Sequence, residues 1–568
     1  MRAVDATLDC LKRAGVSAIF GIPGGPVIPL FDALHDDPDI RTYLARHEQG
    51  AGHMAEGYAK VTGRVGVCTA TSGPGATNLV TPIADAYMDS VPLLALTGQV
   101  GSSRVGTDAF QEADIVGITL PIVKHSYLIK DADDLPEAMT EALEIAQTGR
   151  PGPVLVDVCV DQWARDVETF EGPVDLPGYQ PPTSSGHPRQ LEVAARVLAG
   201  AKRPMLYAGG GIISGSAADE LTALAELTGA PVVTTLMGLG GCPGTHPQFV
   251  GMPGMHGIAA ATYAFQASDV ILAVGARFDE RVLSTVMHEW APNAKIIHID
   301  VDPAEISKNR SAHIGIAGEA APTLAALADA YRRLPQHHDA AERASWIGQI
   351  NDWKRDHPYH VDEGSAVVQP QHVIQALYKV TRGQAIVCTD VGQHQMWAAQ
   401  HYLFDRPRRW VTSGGLGTMG FGLPAAIGAQ VALPDELVVD IAGDGSFEMT
   451  LQELSTVQTY GLPVKIIVIN NGYLGMVRQW QELFWQGRYA GTSFEPFQPS
   501  FARLAETYGI PGSTVNEPHE LEDAIAEAMS CDGPALVDVH VNPTAKVFPM
   551  VPQGKGPDAV IVGSEGSA

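Results

Sequence analysis

The chain reads as α/β, with three doubly wound domains each built on a parallel sheet. Three observations predict this. Apolar runs of strand length alternate with helix-like stretches along all 568 residues, the alternation that yields parallel sheets. Several of those runs end in glycine turns that open a helix. Two Pro/Gly/Ser-rich or charge-rich stretches, 170–186 and 334–371, cut the chain into three parts of similar size. The expected domains are 1–168, 187–334 and 368–546, with a tail at 547–568.

The first part opens on a helix-like stretch at 3–11, then a helix at 46–59 whose packing face is lined with small residues. A strand at 65–71 ends in Ser72-Gly73-Pro74-Gly75, a helix follows at 76–88, and Ser90-Val91-Pro92 turns into a strand at 93–97. In the middle part a strand from Pro204 feeds Gly209-Gly210-Gly211, with a helix from Ser216. This dinucleotide-type turn lacks the full Gly-x-Gly-x-x-Gly order and an acid about 20 residues on to bind a ribose. A later strand, 295–302, ends in acids.

The third part carries the most chemistry. The apolar run 437–442 leads into Gly443-Asp444-Gly445-Ser446, a helical pattern at 448–454 stops at Gly461-Leu462-Pro463, and the run 464–469 ends in Asn470-Asn471. Strand, glycine turn, helix, strand is a βαβ unit with a right-handed crossover. Asp444 and Asn471 therefore share the carboxyl edge of one sheet, where open α/β sheets bind ligands. Glycines let the backbone approach a phosphate, and a helix N-terminus favours its charge. Two hard oxygen ligands suit Mg²⁺ on a diphosphate. The first part echoes this unit: Gly73 to Pro92 spans 19 positions and Gly443 to Pro463 spans 20, as an internal duplication would give.

Bulk composition narrows the partners. A formal net charge of −27 argues against nucleic acid or an anionic membrane surface. Cys10, Cys68, Cys159, Cys242, Cys388 and Cys531 are scattered with no Cys-x-x-Cys pair, so neither zinc nor a disulfide framework is indicated, and a reducing cytoplasm fits. The first residues show no basic-then-apolar signal segment, and no apolar run is long enough for a bilayer.

The paired motifs resemble the diphosphate–magnesium signature of thiamine-diphosphate enzymes, which implies Mg²⁺ held by Asp444, Asn471 and the Tyr473 carbonyl. The nucleotide alternative is weaker, because no Gly-x-x-x-x-Gly-Lys-Ser/Thr loop occurs. Arg46-His47-Glu48-Gln49-Gly50-Ala51 follows the same family's pattern. The resemblance makes Glu48 the carboxyl group facing N1′ of the cofactor's aminopyrimidine, where it favours the imino tautomer that deprotonates thiazolium C2. A carboxyl group serves there when a buried setting lets it share a proton. Its presence argues against glyoxylate carboligase, which lacks this glutamate.

Over almost the whole chain the sequence is similar to the catalytic large subunits of the acetolactate (acetohydroxyacid) synthase family. The stretches that carry this are Phe20-Gly21-Ile22-Pro23-Gly24-Gly25, Gly106-Thr107-Asp108-Ala109-Phe110-Gln111-Glu112, Lys124-His125-Ser126-Tyr127, Gly254-Met255-His256-Gly257 and Ala276-Arg277-Phe278-Asp279-Glu280-Arg281. More specific still are Val391-Gly392-Gln393-His394-Gln395-Met396-Trp397, Met476-Val477-Arg478-Gln479-Trp480 and Phe548-Pro549-Met550-Val551-Pro552, beside Ser413-Gly414-Gly415-Leu416-Gly417-Thr418-Met419-Gly420.

The resemblance implies a pyrimidine domain, a central FAD-type domain and a diphosphate domain, with the cofactor held across a subunit interface in a homodimer or homotetramer. It implies decarboxylation of pyruvate and transfer of the hydroxyethyl unit to a second pyruvate or to 2-oxobutanoate, for branched-chain amino-acid synthesis. Met419 is then the apolar wedge that bends the cofactor, a positioning effect, and the Gly417 carbonyl accepts from the 4′-amine. Gln393 and His394 contact the diphosphate, with Pro23, Gly24, Gly73, Gly443, Gly445, Ser446, Gly475 and Met476 also at the cofactor. Gln111, Gly25, Phe110 and Lys124 fall at the reaction centre. Arg281 binds the second substrate's carboxylate as a charge-assisted fork. Trp480, with Phe110, Met255 and Val391, walls a pocket for the ethyl group of 2-oxobutanoate.

For the middle domain the resemblance implies FAD with no net redox part. It places Arg150, Gly209, Gly210, Gly211, Met255, His256, Gly275, Arg277, Asp279, Asp300, Asp302, Glu305 and Ile306 at the flavin. The chain departs from the family at three points around the implied substrate channel. Gly101-Ser102-Ser103 stands for Pro-Arg-Arg, Val160 for a lysine, and Glu280 for an aspartate. These put second-substrate preference and inhibitor sensitivity in question. Another thiamine-dependent 2-oxo acid decarboxylase or oxidase, or a non-catalytic flavin- or thiamine-binding homologue, are the rival readings. A small regulatory subunit is a further implied partner.

Overall fold

The computed structural model describes residues 1–170, 172, 176–182, 184–335, 338–359 and 361–563. Parts of both expected linkers (171, 173–175, 183, 336–337 and 360) and the tail end 564–568 lie outside the described residues. Three six-stranded sheets organise the described residues. The first uses β1 (Ala18–Gly21), β2 (Arg41–Leu44), β3 (Gly66–Ala70), β4 (Leu93–Gln99), β5 (His125–Ile129) and β6 (Pro153–Cys159). The second uses β7 (Pro204–Ala208), β8 (Val232–Thr234), β9 (Phe249–Gly251), β10 (Val270–Val274), β11 (Lys295–Asp300) and β12 (Ile314–Ala317). The third uses β13 (Ile386–Thr389), β14 (Trp410–Val411), β15 (Val438–Gly443), β16 (Lys465–Asn470), β17 (Gly512–Val515) and β18 (Ala535–His540).

The first sheet runs β2-β1-β3-β4-β6-β5 and the third β14-β13-β15-β16-β18-β17. Counted within each sheet these are the same order, 2-1-3-4-6-5, as two copies of one ancestral unit would show. The second runs β12-β11-β10-β7-β8-β9, the dinucleotide-binding order in which two halves meet at the first and fourth strands. Each order has one point where neighbouring strands wind away in opposite directions. That point lies between β1 and β3, between β7 and β10, and between β13 and β15. A crevice opens there at the carboxyl ends of the strands.

The described residues form two compact units. One comprises Met1–Gln180, Gln384–Gln395 and Val411–Pro543; the other comprises Pro181–Gly383, Met396–Trp410 and the residues from Thr544. In the first unit the helix Glu48–Thr62 packs on the helix Gly422–Ala432. A Cβ on Gly57 would lie 2.0 Å from the Ala425 carbonyl oxygen, and one on Gly428 would lie 1.8 Å from that of Met54. The two helices thus touch backbone to backbone, which is why small residues line the packing face. Glycine in a helix costs about 1 kcal/mol relative to alanine; the close approach offsets it. His47 Nδ1 accepts from Gln49 N at 3.1 Å to cap the first helix, and Gly63 ends it at φ 73°.

Several elements differ from the sequence expectation. The expected helix 76–88 is two, Pro74–Asn78 and Val80–Asp89. Past Gly443 the chain makes one helical turn (Asp444–Phe447), a 3₁₀ turn (Leu451–Glu453) and a helix Leu454–Tyr460. The larger correction concerns the second expected linker, which contains a 17-residue helix, Ala340–Asp356. Asp339 caps it by accepting from Ala341 N at 2.7 Å, and Trp346 and Ile350 are buried. Its buried Arg343 donates to the Leu198, Ala201 and Thr228 carbonyls. That guanidinium closes the carboxyl ends of the helices Pro188–Ala199 and Ala218–Thr228. The charge that reads as linker is in part a buried structural cation.

Among the described residues no helix is long and apolar enough to cross a membrane. The six cysteines are free thiols, five of them buried.

Candidate active site

Two sites form in the first unit, each at a topological switch point. At the crevice between β1 and β3, Asn78 Nδ2 donates to Glu48 Oε2 at 2.9 Å. Glu48 is half-buried, and a Cβ on Gly75 would lie 3.3 Å from its Oε1. Gly24 backs onto Thr71, where a Cβ would come within 2.5 Å. Gly73 adopts φ +61°, and its Cβ would lie 2.7 Å from the Gln111 carbonyl oxygen. Gly24, Gly73, Gln111 and Glu48 are thereby gathered around one turn, with Asn78 added; Pro23 and Gly25 flank Gly24 in the chain. Phe110 is 89% exposed, on a loop whose Glu112 carboxylate accepts from the Gly106, Thr107 and Ala109 amides. Those bonds hold Glu112 below the usual carboxylate range. Lys124 does not join this group: its ammonium donates to the Ile145 and Thr148 carbonyls and to Tyr179 Oη, closing the helix Leu135–Gln147.

At the crevice between β13 and β15, Asp444 Oδ2 accepts from Gly472 N at 2.8 Å and Gln498 Nε2 at 2.7 Å. Burial pushes this carboxyl up to about 6 against those hydrogen bonds, a setting a divalent cation would reverse. Asn471 Oδ1 accepts from Tyr473 N at 3.0 Å, and its Nδ2 donates to Gln393 Oε1 at 3.3 Å. Gln393 in turn donates to Gln479 Oε1 at 2.8 Å. Gly475 leaves room for this pair, since a Cβ there would lie 2.1 Å from Gln393 Oε1. Gly445 likewise backs onto Phe494, 2.6 Å from where its Cβ would be. Ser446 Oγ is locked onto the Gly443 peptide. Met476 and Trp480 lie on the helix Gly475–Phe484, and Trp480 Nε1 is buried with no hydrogen-bond partner among the described residues.

His394 Nε2 is also a buried nitrogen with no partner among the described residues. Burial pushes the imidazole down to about 3, so the ring is neutral, and an anion beside Nε2 would draw a proton onto it. A Cβ on Gly443 would lie 2.7 Å from His394 Nδ1, so only glycine lets the β15 turn meet this ring. Hard oxygens, an orphaned imidazole nitrogen and a glycine cradle fit a magnesium-bound diphosphate. Met419 lies in the stretch 412–421, where Asp390 Oδ1 accepts from Gly420 N at 2.7 Å and Phe421 N at 3.1 Å.

In the second unit the crevice between β7 and β10 carries the glycine turn. A Cβ on Gly209 would lie 2.0 Å from the Gly275 carbonyl oxygen, and one on Gly211 2.6 Å from Gly275 Cα. These glycines are required by the crossing of two turns. His256 is buried and held neutral, down to about 4, and its Nδ1 has no partner among the described residues. A glycine turn of this kind fits the close approach of a dinucleotide's phosphates, and the unfilled His256 nitrogen is a further polar group in the same unit. Arg277 and Phe278 follow β10, Phe278 at φ +52°. Asp279 caps the short helix Glu280–Leu283 by accepting from Arg281 N, and Arg281 Nη1 lies 3.3 Å from Met255 Sδ. At the β11 end, Asp300 Oδ1 accepts from Asp302 N and Asp302 Oδ1 from Ala304 N. Glu305 pairs with Lys308 at 3.0 Å, and Ile306 packs against Gly315. Arg150, in the first unit, donates to Ser90 Oγ at 2.8 Å.

Two of the three departures, at 101–103 and at Val160, fall at neighbouring strand ends, where Val160 N donates to the Gln99 carbonyl at 3.0 Å and Asp161, the next residue, meets Ser102. Ser102 N and Oγ donate to Asp161 at 2.8 and 2.7 Å, because β4 and β6 are neighbours. An acid at 161 thus meets a serine hydroxyl, a backbone amide and Gln162 Nε2 where the resemblance implies basic side chains nearby. Sequence reasoning missed Asn78, Asp390 and Gln498. Asn78 had a weak signal, a polar residue three positions past the predicted glycine turn at 72–75; Asp390, just before the Val391–Trp397 stretch, and Gln498, in an irregular segment, had none.

Three family profiles match the chain: the N-terminal TPP binding domain of thiamine pyrophosphate enzymes at residues 1–118, their central domain at 191–327 and their C-terminal TPP binding domain at 390–539. An acetolactate synthase of Mycobacterium bovis is 49% identical over 569 residues, covering 99% of this chain and 91% of the relative. The acetolactate synthase large subunit of Corynebacterium glutamicum is 49% identical over 560 residues, covering 98% and 89%. The acetolactate synthase isozyme 3 large subunit of Escherichia coli is 46% identical over 564 residues, covering 98% of each. With full-length identity of this order and the glycine-turn sheet edges in place, the chain belongs to the acetolactate synthase large-subunit family of thiamine-pyrophosphate enzymes.

Proposed function

We propose that the protein is a thiamine-diphosphate-dependent carboligase. It decarboxylates pyruvate and joins the resulting two-carbon unit to a second 2-oxo acid, giving 2-acetolactate from pyruvate or 2-aceto-2-hydroxybutanoate from 2-oxobutanoate. The observation that carries this is the pairing of two crevices of like topology in one unit. One presents Glu48 and the other presents Asp444, Asn471 and His394.

Thiamine diphosphate, when bound, supplies a carbon nucleophile and an electron sink for the decarboxylation. The chain's own residues do the rest. Asp444, Asn471 and the Tyr473 carbonyl would hold Mg²⁺, and His394, through its unpartnered Nε2, would take a diphosphate oxygen. Glu48 would share a proton with the pyrimidine N1′, and Asn78, donating to its Oε2, fixes which oxygen faces outward. Trp480 and Met476 supply apolar walls that exclude water, which strengthens each of these electrostatic contacts. The glycine turn of the second unit would hold FAD, in a non-redox role, with His256 as a further group of that unit. A site formed by residues of two copies, in a homodimer or homotetramer, and a regulatory subunit are part of this reading.

Incubation with pyruvate, thiamine diphosphate and Mg²⁺ tests it. The expected product is acetolactate, with the mixed acetohydroxy acid when 2-oxobutanoate is added. Acetaldehyde or peroxide in place of acetolactate would overturn the reading in favour of a decarboxylase or oxidase.

A further inference from the structure

The segment that carries Gly417 and Met419 has no regular structure of its own, lying between β14 and the helix Gly422–Ala432. Side chains from the N-terminal part of the first unit hold it. Ser413 Oγ accepts from Gly417 N at 3.0 Å and from Thr418 N at 2.8 Å. Those two bonds use both lone pairs of the hydroxyl, leaving only its proton to give. The proton goes to Asp85 Oδ1, 2.7 Å away. Asp85 and Ser413 are both buried, at 0% and 1% exposure. One turn further along the same helix, Asp89 accepts from Gly415 N at 2.6 Å and Gly414 N at 3.0 Å. Asp89 also takes the Lys60 ammonium at 2.6 Å, which reaches on to the Thr412 carbonyl at 2.7 Å. Lys60 belongs to the helix that begins at Glu48.

We propose that Asp85, acting through Ser413, and Asp89, acting on Gly414 and Gly415, are positioning residues that set the Gly417–Met419 segment for the cofactor. Neither aspartate touches cofactor or substrate. The proposal rests on the thiamine-diphosphate reading for its purpose, while the clamp itself is a property of the chain alone. Its chemistry is specific. The peptide amides at 414, 415, 417 and 418 each find a side-chain acceptor on one side of Met419, and Asp390 takes those of 420 and 421 on the other. The side chain at 419 is then presented from a backbone pinned at both ends, as a wedge that bends a cofactor requires. A misplacement of about 1 Å from such a contact is enough to cost on the order of a hundredfold in rate.

The proposal is tested with Ser413→Ala, Asp85→Leu and Asp85→Asn. The asparagine keeps a carbonyl oxygen for the Ser413 hydroxyl; the leucine does not. The first readout is amide hydrogen exchange of residues 412–421 in the cofactor-free protein, by mass spectrometry. The second is the rate at which bound thiamine diphosphate exchanges its C2 proton for deuterium. Ser413→Ala and Asp85→Leu are expected to speed the amide exchange about tenfold and to slow C2 exchange about tenfold or more. Asp85→Asn is expected to stay near wild type in both. Wild-type exchange in Ser413→Ala, which removes a single oxygen and decides the matter if the leucine variant does not fold, overturns the proposal. Wild-type protein that fails to bind thiamine diphosphate or to exchange C2 sinks the cofactor reading instead, and the amide readout still judges the clamp.

Discussion

Gly443→Ala is the sharpest probe of the diphosphate crevice. Gly443 has φ −91° and ψ 154°, which alanine adopts freely, so only space is at stake. The added Cβ would stand 2.7 Å from His394 Nδ1 and 2.8 Å from Cε1, where 3.4 Å is ordinary contact. The deficit is about 0.7 Å. The imidazole is not the far end of a flexible chain: it is buried at the start of the helix Gln393–His401. Either the ring or the β15 turn must move by that amount, which takes Nε2 away from a ligand oxygen. A lost hydrogen bond to a charged group is worth about 1.5–3 kcal/mol, or roughly ten- to a hundredfold in affinity. Isothermal titration of the cofactor-free protein with thiamine diphosphate and Mg²⁺ measures it, with a thermal melt as control for folding. An unchanged Kd, in a variant that melts like wild type, would refute the assignment of His394 to the diphosphate.

Further outcomes follow from other contacts. Glu48→Gln is expected to cut turnover by about a hundredfold or more, the scale of general acid–base catalysis, while thiamine diphosphate affinity holds; full activity in that variant removes Glu48 from the proton relay. Gly428→Ala puts a Cβ 1.8 Å from the Met54 carbonyl oxygen and is expected to cost about 3 kcal/mol or more, seen as lost soluble yield or a lowered Tm. Trp480→Ala is expected to lower the preference for 2-oxobutanoate over pyruvate by about tenfold, the worth of a pocket that grips one methylene, read from the product ratio of mixed-substrate incubations. The buried His53 is held down to about 4 by desolvation. The unfolded chain takes up its proton as pH falls through about 6.5, and the folded one does not until near 4. Its contribution is therefore intact above 6.5 and lost on acidification. Between pH 7 and pH 5 wild type is expected to lose about 2 kcal/mol of stability relative to His53→Gln, measured by denaturant unfolding at both pH values.

The parts legible in the sequence were those fixed by local chain chemistry. The runs before Gly443 and Asn471 are β15 and β16, adjacent and parallel, because apolar runs ending in glycine or asparagine leave little else to be. The small residues of the helix Glu48–Thr62 marked a close contact, though not its partner. Other features depend on residues far apart in the chain. The helix Ala340–Asp356 was hidden because its charge suggested solvent, while Arg343 spends that charge on three distant carbonyls. Lys124 sits in a recognisable motif, yet its ammonium serves the end of a helix. The Asp85–Ser413 contact spans 328 positions, and no spacing rule announces it.

The meeting of the helices Glu48–Thr62 and Gly422–Ala432 has a mechanical consequence. Packed side chains can hop between rotamers and give an interface two resting places; bare peptide groups cannot. The first and third sheets are therefore joined by a contact with almost no compliance, a chassis rather than a hinge. Any change of shape during turnover would fall on segments that hang from this frame. Among the described residues, the loop around Phe110 and the stretch with Trp485, Tyr489 and Phe497 carry exposed aromatics. Substitutions that tune the speed of the catalytic cycle belong in those segments, and substitutions at Gly57 or Gly428 trade away the frame itself.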